Sequence, residues 1–413
     1  MAMFSSLRNS YHGGLAKLSR IQGSSSLVPE LESLRFVAIA SVFFAHLNGY
    51  LTQRSSAPWV LSARGSAVDN FLRQGRLGVQ LFFVISGFVL ALPFARQRLG
   101  LARPVKLGAY YLRRLTRLEP PFLACLGLLF LAMVVDNRTV IQTQLPHLAA
   151  TAVYLHAAIY HTMSTINGVT WSLEIEIQFY LVTPLLTLLF AVRSPGARRL
   201  VLIAVCLVVQ ALQRYLGLGD DRDNPTLLNY LPYFLMGFIL ADLYLGGWLT
   251  RKPNSWIWDL LLLTLAPMTW VLAVLQPHSM PIVLPWALLA IYAAFFRGRL
   301  FRWALSGRII VTIGGMCYTI YLFHFAIVSA AARFTKDLNI SDSYIPNLAL
   351  QVLLIGTVTL ILTSIFFALV ERPCMRRNWP QRLWARVKAA VGRSCGRLPL
   401  NETPPSPNPS GTV

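Results

Sequence analysis

A histidine and a glutamate set inside long apolar runs are the residues of this chain best placed to do chemistry. A charged group at the centre of a membrane helix costs about 2.5–3.5 kcal/mol on insertion scales, so each one needs a reason. His46 lies well inside the apolar run near 34–51. Its neutral imidazole accepts a proton near neutral pH, which is the general-base role. Arg35 stands eleven residues earlier, about 20° past three full turns and ~16 Å of rise, so the two share one helix face. Taken alone, Arg35 reads as a boundary arginine that snorkels, and His46 as a hydrogen-bonded interior imidazole. Glu174 and Glu176 open a later run, just after Trp171. Two residues apart is about 200°, so they point to opposite faces and only one of them shares a cavity with His46. Glu176 is the better partner, placed to orient or charge-stabilise the imidazole. Glu174 suits a first-turn acid favoured by the helix dipole.

A second group could recognise phosphate. Arg113, Arg114 and Arg117 occur in YYLRRLTRLEPP, just before the run near 118–135. Arg114 and Arg117 are three apart and share a face. Paired guanidinium groups suit phosphate oxygens, whereas basic residues in a membrane protein also simply set topology. Glu119 partly neutralises the cluster. His324 lies in GGMCYTIYLFHF, with Tyr321 on its face and Tyr318 opposite. Asp242 and Glu371 sit near helix ends and read as structural.

The elements that must position these groups are membrane helices. Of 413 residues, 55% are hydrophobic and 13% charged, against about 25% charged in a soluble domain. This excludes a soluble globular enzyme, a disordered chain and a disulfide scaffold. The net charge of +21 reads as orientation signal rather than nucleic-acid binding. Apolar runs fall near 34–51, 76–95, 118–135, 171–192, 199–216, 227–246, 256–276, 282–296, 309–332 and 347–370. Most approach the roughly 20 residues a spanning helix needs. An eleventh run, 146–161, is short and carries three histidines. With the N-terminus inside and 146–161 not spanning, cytosolic segments hold 27 of the 37 Lys and Arg and outer loops hold 7. The expected fold is therefore all-α and polytopic, with about ten transmembrane helices and both termini cytosolic. One short re-entrant or surface helix is expected near 146–161. Residues 1–33 read as an uncleaved cytosolic tail, 34–371 as the transmembrane domain and 372–413 as a basic cytosolic tail. Within that tail, 380–392 reads as a basic amphipathic helix and 398–413 as disordered.

Cys125, Cys206 and Cys317 fall in membrane runs, and Cys374 and Cys395 in the basic tail. With no Cys-x-x-Cys pair, structural disulfides and a cysteine metal site are not expected. No His-x-x-x-His or carboxylate cluster suggests a metal, and no P-loop suggests nucleotide hydrolysis. The acidic run Asp220-Asp221-Arg222-Asp223 falls outside. From the residues alone, the pattern fits a phosphate-bearing cytosolic donor with proton transfer inside the membrane. It fits a proton-coupled transporter equally well.

Five segments together resemble the acyltransferase-3 family of integral membrane acyltransferases. Leu34-Arg35-Phe36 through His46 resembles an Arg-x10-His motif, and GVQLFFVISGFVL (78–90) a GV-x-LFF-x-ISGF run. RRLTRLEPP (113–121), WSLEIEIQFY (171–180) and Tyr318 to His324 resemble three further motifs, all in family order over roughly 30–371. The resemblance implies transfer of an acyl group, most simply acetyl from acetyl-CoA, to a hydroxyl of a sugar in a surface or exported glycan or a glycoside. It implies His46 as catalytic base with Glu176, and Arg35, Arg114 and Arg117 on the donor. Trp171, Tyr318, Tyr321 and His324 would line the site. No permanently bound cofactor is expected, and the partners are the acyl-CoA, the acceptor and the bilayer of a cell membrane. Cys317 stands where the family has serine, and Glu119 adds a negative charge beside the arginine motif. Ser86 and Ser172 are candidate carriers should an acyl-enzyme form. The competing reading is a transporter or flippase of lipid-linked sugars.

Overall fold

A computed structural model describes residues 18–21, 28–137, 140–218, 225–250, 255–376, 379–381 and 388. The acidic run 220–223, Cys395 and most of the 380–392 segment lie outside the described residues. Among the described residues every regular element is a helix, and ten helices are long and apolar enough to cross a membrane.

The helices that place the site are α1 (Pro29–Arg54), α2 (Gly78–Arg98) and α3 (Leu107–Asp136), followed by the short α4 (Val140–Ala152) and α5 (His156–Tyr160). Then come α6 (Trp171–Leu186), α7 (Pro195–Tyr215), α8 (Leu227–Leu245), α9 (Trp256–Leu275) and α10 (Met280–Arg297). The short α11 (Arg308–Gly315), α12 (Cys317–Thr335) and α13 (Tyr344–Phe366) complete the bundle.

The most intimate helix pair is α2 with α8. A Cβ on Gly87 would strike the backbone of Phe234, and one on Gly237 would strike Val84 and Phe88. Small residues let backbones meet this way where lipid supplies no hydrophobic drive between helices. Around the crossing, Phe83, Phe179 and Phe234 stack with Tyr230 and Trp171 into one aromatic layer.

Buried polar groups are tied off in pairs, as a low-dielectric interior requires. Asp69 accepts from Asn48 (2.7 Å) and Arg73 (2.8 Å), while Tyr344 donates to Asn48, linking α1 to α13. Asp242 accepts from Arg198 (2.5 Å) and Arg199 (2.7 Å), joining α8 to α7. Glu371 accepts from the Thr319 backbone N–H (3.1 Å) and hydroxyl (2.5 Å). Asp242 and Glu371 thus do the structural work expected of them.

Two expectations need correction. The segment near 146–161 is two short helices, α4 and α5, and not one. Helix α4 starts at Val140 and carries Pro146 inside it. The break falls where Tyr154 takes φ 59 and its hydroxyl donates to Glu119 at 2.7 Å. The arginine cluster does not precede the third spanning helix but lies within it, because α3 begins at Leu107 and continues through Pro120 and Pro121. A proline removes one i→i−4 bond, which frees a carbonyl four residues back. For Pro120 that carbonyl is on Thr116, and Trp379 Nε1 donates to it at 2.8 Å.

Candidate active site

Five helices bring the expected residues towards one interior region. Helix α1 carries Arg35 and His46, α2 carries Ser86, and α3 carries Arg114 and Arg117. Helix α6 carries Ser172, Glu174, Glu176 and Tyr180, while α12 carries Cys317, Tyr318, Tyr321 and His324.

His46 meets His324. Their ring centroids are 5.1 Å apart, and Phe325 packs edge-on against His46 at 5.1 Å. His324 is fully buried. Its Nδ1 lies 2.8 Å from the Tyr321 carbonyl and 3.1 Å from that of Ile320. Carbonyls only accept, so Nδ1 carries the proton, and Nε2 of the neutral ring is a bare base. That Nε2 is buried and has no hydrogen-bond partner among the described residues.

Tyr321 lies on the same face, its ring centroid 6.5 Å from that of His324. Its hydroxyl donates to the Val169 carbonyl at 2.5 Å and meets Ser172 Oγ at 3.0 Å, tying α12 to the start of α6. Tyr318 points away and donates to the Leu118 carbonyl at 3.0 Å, bracing α3. Trp171 packs in the aromatic layer against Phe83 and Tyr230.

The two glutamates separate as their spacing requires. Glu174 accepts the Ala157 N–H at 3.1 Å and so caps α5. Glu176 Oε1 accepts from Ser86 Oγ at 2.6 Å and from Tyr180 OH at 2.7 Å. The Glu176 charge also acts on Arg35, Arg114 and Tyr321. Ser86, a candidate carrier, is therefore engaged in holding Glu176.

The arginines divide. The Arg114 guanidinium lies 3.9 Å above the Tyr110 ring and 5.6 Å from that of Tyr180, facing the Glu176 side. Arg35 pairs with Glu32 at 2.5 Å, and Arg117 Nε is buried without a partner among the described residues. Tyr180 and Glu32 were not singled out from the sequence. Each stands one helical turn from a candidate, at i+4 of Glu176 and i−3 of Arg35, and that spacing was the signal available.

Cys125, Cys206, Cys317 and Cys374 are free thiols. Among the described residues, no three His, Cys, Asp or Glu side chains group as metal ligands.

The chain matches known proteins along most of its length. A model of the acyltransferase-3 family, described as an acyltransferase domain, covers residues 28–369. The chain is similar to the acyltransferase MdmB of Streptomyces mycarofaciens, 26% identical over 382 residues, which cover 84% of this chain and 92% of that protein. It is similar to the peptidoglycan O-acetyltransferase OatA of Listeria monocytogenes, 24% identical over 395 residues, covering 86% of this chain and 57% of OatA. A relative in Staphylococcus aureus with a provisional O-acetyltransferase name is 23% identical over 347 residues, covering 75% of this chain and 52% of the relative. The chain thus spans about half the length of that relative and of OatA. No solved structure matches it. With the family model spanning 28–369 and the five motifs gathered in one bundle, this chain is a multi-pass membrane protein of the acyltransferase-3 family.

Proposed function

We propose that this protein is a membrane-embedded O-acyltransferase. It moves an acyl group, most simply acetyl, from a cytosolic acyl-CoA to a sugar hydroxyl of a surface or exported glycan or a glycoside. The observation that carries the reading is the run of neighbours from His46 through His324 and Tyr321 to the Glu176 charge, which also acts on Arg114.

In this reading His46 takes the proton as the acceptor oxygen attacks the thioester carbonyl. The C–O bond forms, the C–S bond breaks, and the CoA thiolate leaves and takes up that proton from the imidazolium. His324, its Nδ1–H committed to backbone carbonyls, presents a lone pair beside His46 and favours the transient positive charge there. The Glu176 carboxylate, held by Ser86 and Tyr180, adds negative potential to the same region. Arg35, Arg114 and Arg117 hold the donor. The excess of Lys and Arg in the segments read as cytosolic supports termini and donor on that side. The membrane is a cell membrane, the cytoplasmic one in a bacterium.

The test is CoA release by the purified protein, with acetyl-CoA and a glycan-lipid extract, in wild type beside His46→Ala. Extract-stimulated release that disappears in the variant supports the reading. A folded wild type that neither binds nor turns over acyl-CoA overturns it and favours the transporter of lipid-linked sugars.

A further inference from the structure

We propose that Arg20, in the segment before the first spanning helix, joins Arg35 and Arg117 in one basin that binds a phosphate-bearing ligand. For the identity of that ligand, the phosphate end of the donor, this rests on the acyl-CoA reading above.

The segment is seated, not loose. The Ser19 carbonyl accepts from Arg372 Nε at 3.1 Å. The Cβ of Arg20 lies 3.6 Å from where a side chain on Gly315 would begin. Arg20 Nη1 donates to Glu32 Oε1 at 2.9 Å, and Arg35 Nη1 reaches the same oxygen at 2.5 Å. One carboxylate oxygen therefore clamps two guanidinium groups, while Glu32 Oε2 is buried without a partner among the described residues. The charges of Arg35 and Arg117 both act on Arg20, and burial with this crowding lowers the Arg20 pKa to about 10. Glu371, the other carboxylate within electrostatic reach of Arg20 and Arg117, is committed to Thr319.

Three guanidinium groups share this region with Glu32, Glu371 and Glu176, whose charge also acts on Arg35, and each of these carboxylates is already bonded within the protein. The donor left over on Arg117 is what favours an anion. Arg117 keeps a buried Nε–H with no acceptor among the described residues. Like charges crowded in a low-dielectric pocket repel, and a bound anion relieves that repulsion. Phosphate is the best fit, because planar guanidinium forks pair with its oxygens two at a time. The arginine motif of α3 then divides its work. Arg114, lying over Tyr110, serves the reacting end beside Glu176, and Arg117 serves the anionic end.

Binding to the full-length protein in lipid-free detergent tests this. The probes are CoA, 3′-dephospho-CoA, pantetheine, inorganic pyrophosphate and added phosphatidylglycerol, and the proteins are wild type, Arg20→Ala and Arg20→Lys. Thermal melts confirm that each variant is folded. Loss of one charge-assisted contact weakens CoA binding about tenfold in Arg20→Ala, and Arg20→Lys recovers most of it. Pantetheine, which lacks phosphate, binds all three alike. Wild-type CoA affinity in Arg20→Ala overturns the proposal. Should the wild type ignore CoA but bind pyrophosphate or phosphatidylglycerol in an Arg20-dependent way, the basin stands with a different phosphate source and the donor reading fails. No Arg20-dependent binding of any phosphate-bearing probe sinks the basin itself.

Discussion

Removing the two hydroxyl groups that hold Glu176 separates a catalytic carboxylate from a structural one. Ser86 Oγ and Tyr180 OH donate to the same oxygen, at 2.6 and 2.7 Å. Each is a bond to a charged acceptor, worth about 1.5–3 kcal/mol. Because Glu176 is only half-buried, the lower end applies. If these bonds fix the carboxylate for the transition state, losing one costs about 1.5 kcal/mol, or roughly tenfold in kcat. Ser86→Ala and Tyr180→Phe should each show this with little change in KM for acyl-CoA. The double variant should lose more than the product of the two, because the oxygen then has neither donor and the carboxylate is free to turn away. The assay is CoA release followed by thiol detection, with a thermal melt of each variant in the same detergent. Undiminished kcat in the folded double variant would refute the reasoning. A fall in melting temperature with kcat intact would assign the pair to packing alone.

Three further outcomes follow from the geometry. Asp242→Asn leaves Arg198, 4% exposed, as an uncompensated buried charge, so about 3–5 kcal/mol of stability is lost. A lowered melting temperature checks this, and molecules that remain folded should keep their kcat. Gly87→Ala drives a methyl into the Phe234 backbone and parts α2 from α8, costing about 1–3 kcal/mol. A fall in folded yield on size-exclusion chromatography is the readout. Burial lowers the pKa of His156, which lies 2.9 Å from His147 through Nε2 and 3.1 Å from the Thr162 carbonyl through Nδ1. The locally unfolded segment therefore binds the proton more readily than the packed one, so this packing weakens as pH falls through the ordinary histidine value of 6.5. Facing groups are His147, Tyr160 and the Glu174 carboxylate that caps α5. Hydrogen exchange over 140–162, corrected for intrinsic rate, should be faster at pH 5 than at pH 7.5, and equal protection would refute the argument.

The spanning helices were legible because a bilayer demands long apolar runs and little else matches them. The opposed duties of Glu174 and Glu176 followed from 100° per residue, and the structure keeps them on different partners. An apolar run opens only after Arg117, near 118, whereas α3 begins at Leu107 and carries the arginines in its first turns. A partner distant in sequence, Trp379, satisfies the freed Thr116 carbonyl, and no local pattern announces it. The contact between His46 and His324 is equally silent, since it depends on how α1 and α12 cross. Arg20 was hidden for another reason. In the sequence it is one tail charge among several, and only the shared Glu32 oxygen distinguishes it.

The way the chain closes on itself also bears on biogenesis. The Ser19 carbonyl is met by Arg372, 353 residues later, and the Thr116 carbonyl by Trp379, 263 residues later. A ribosome delivers α1 and α3 to the membrane long before either partner exists. Until the final stretch emerges, one α3 carbonyl lacks its donor, and Arg20 and Arg117 lack the nearby charge of Glu371. A chain ending before residue 371 therefore lacks the contacts of Glu371, Arg372 and Trp379, and these closures form only once the last stretch has been synthesised.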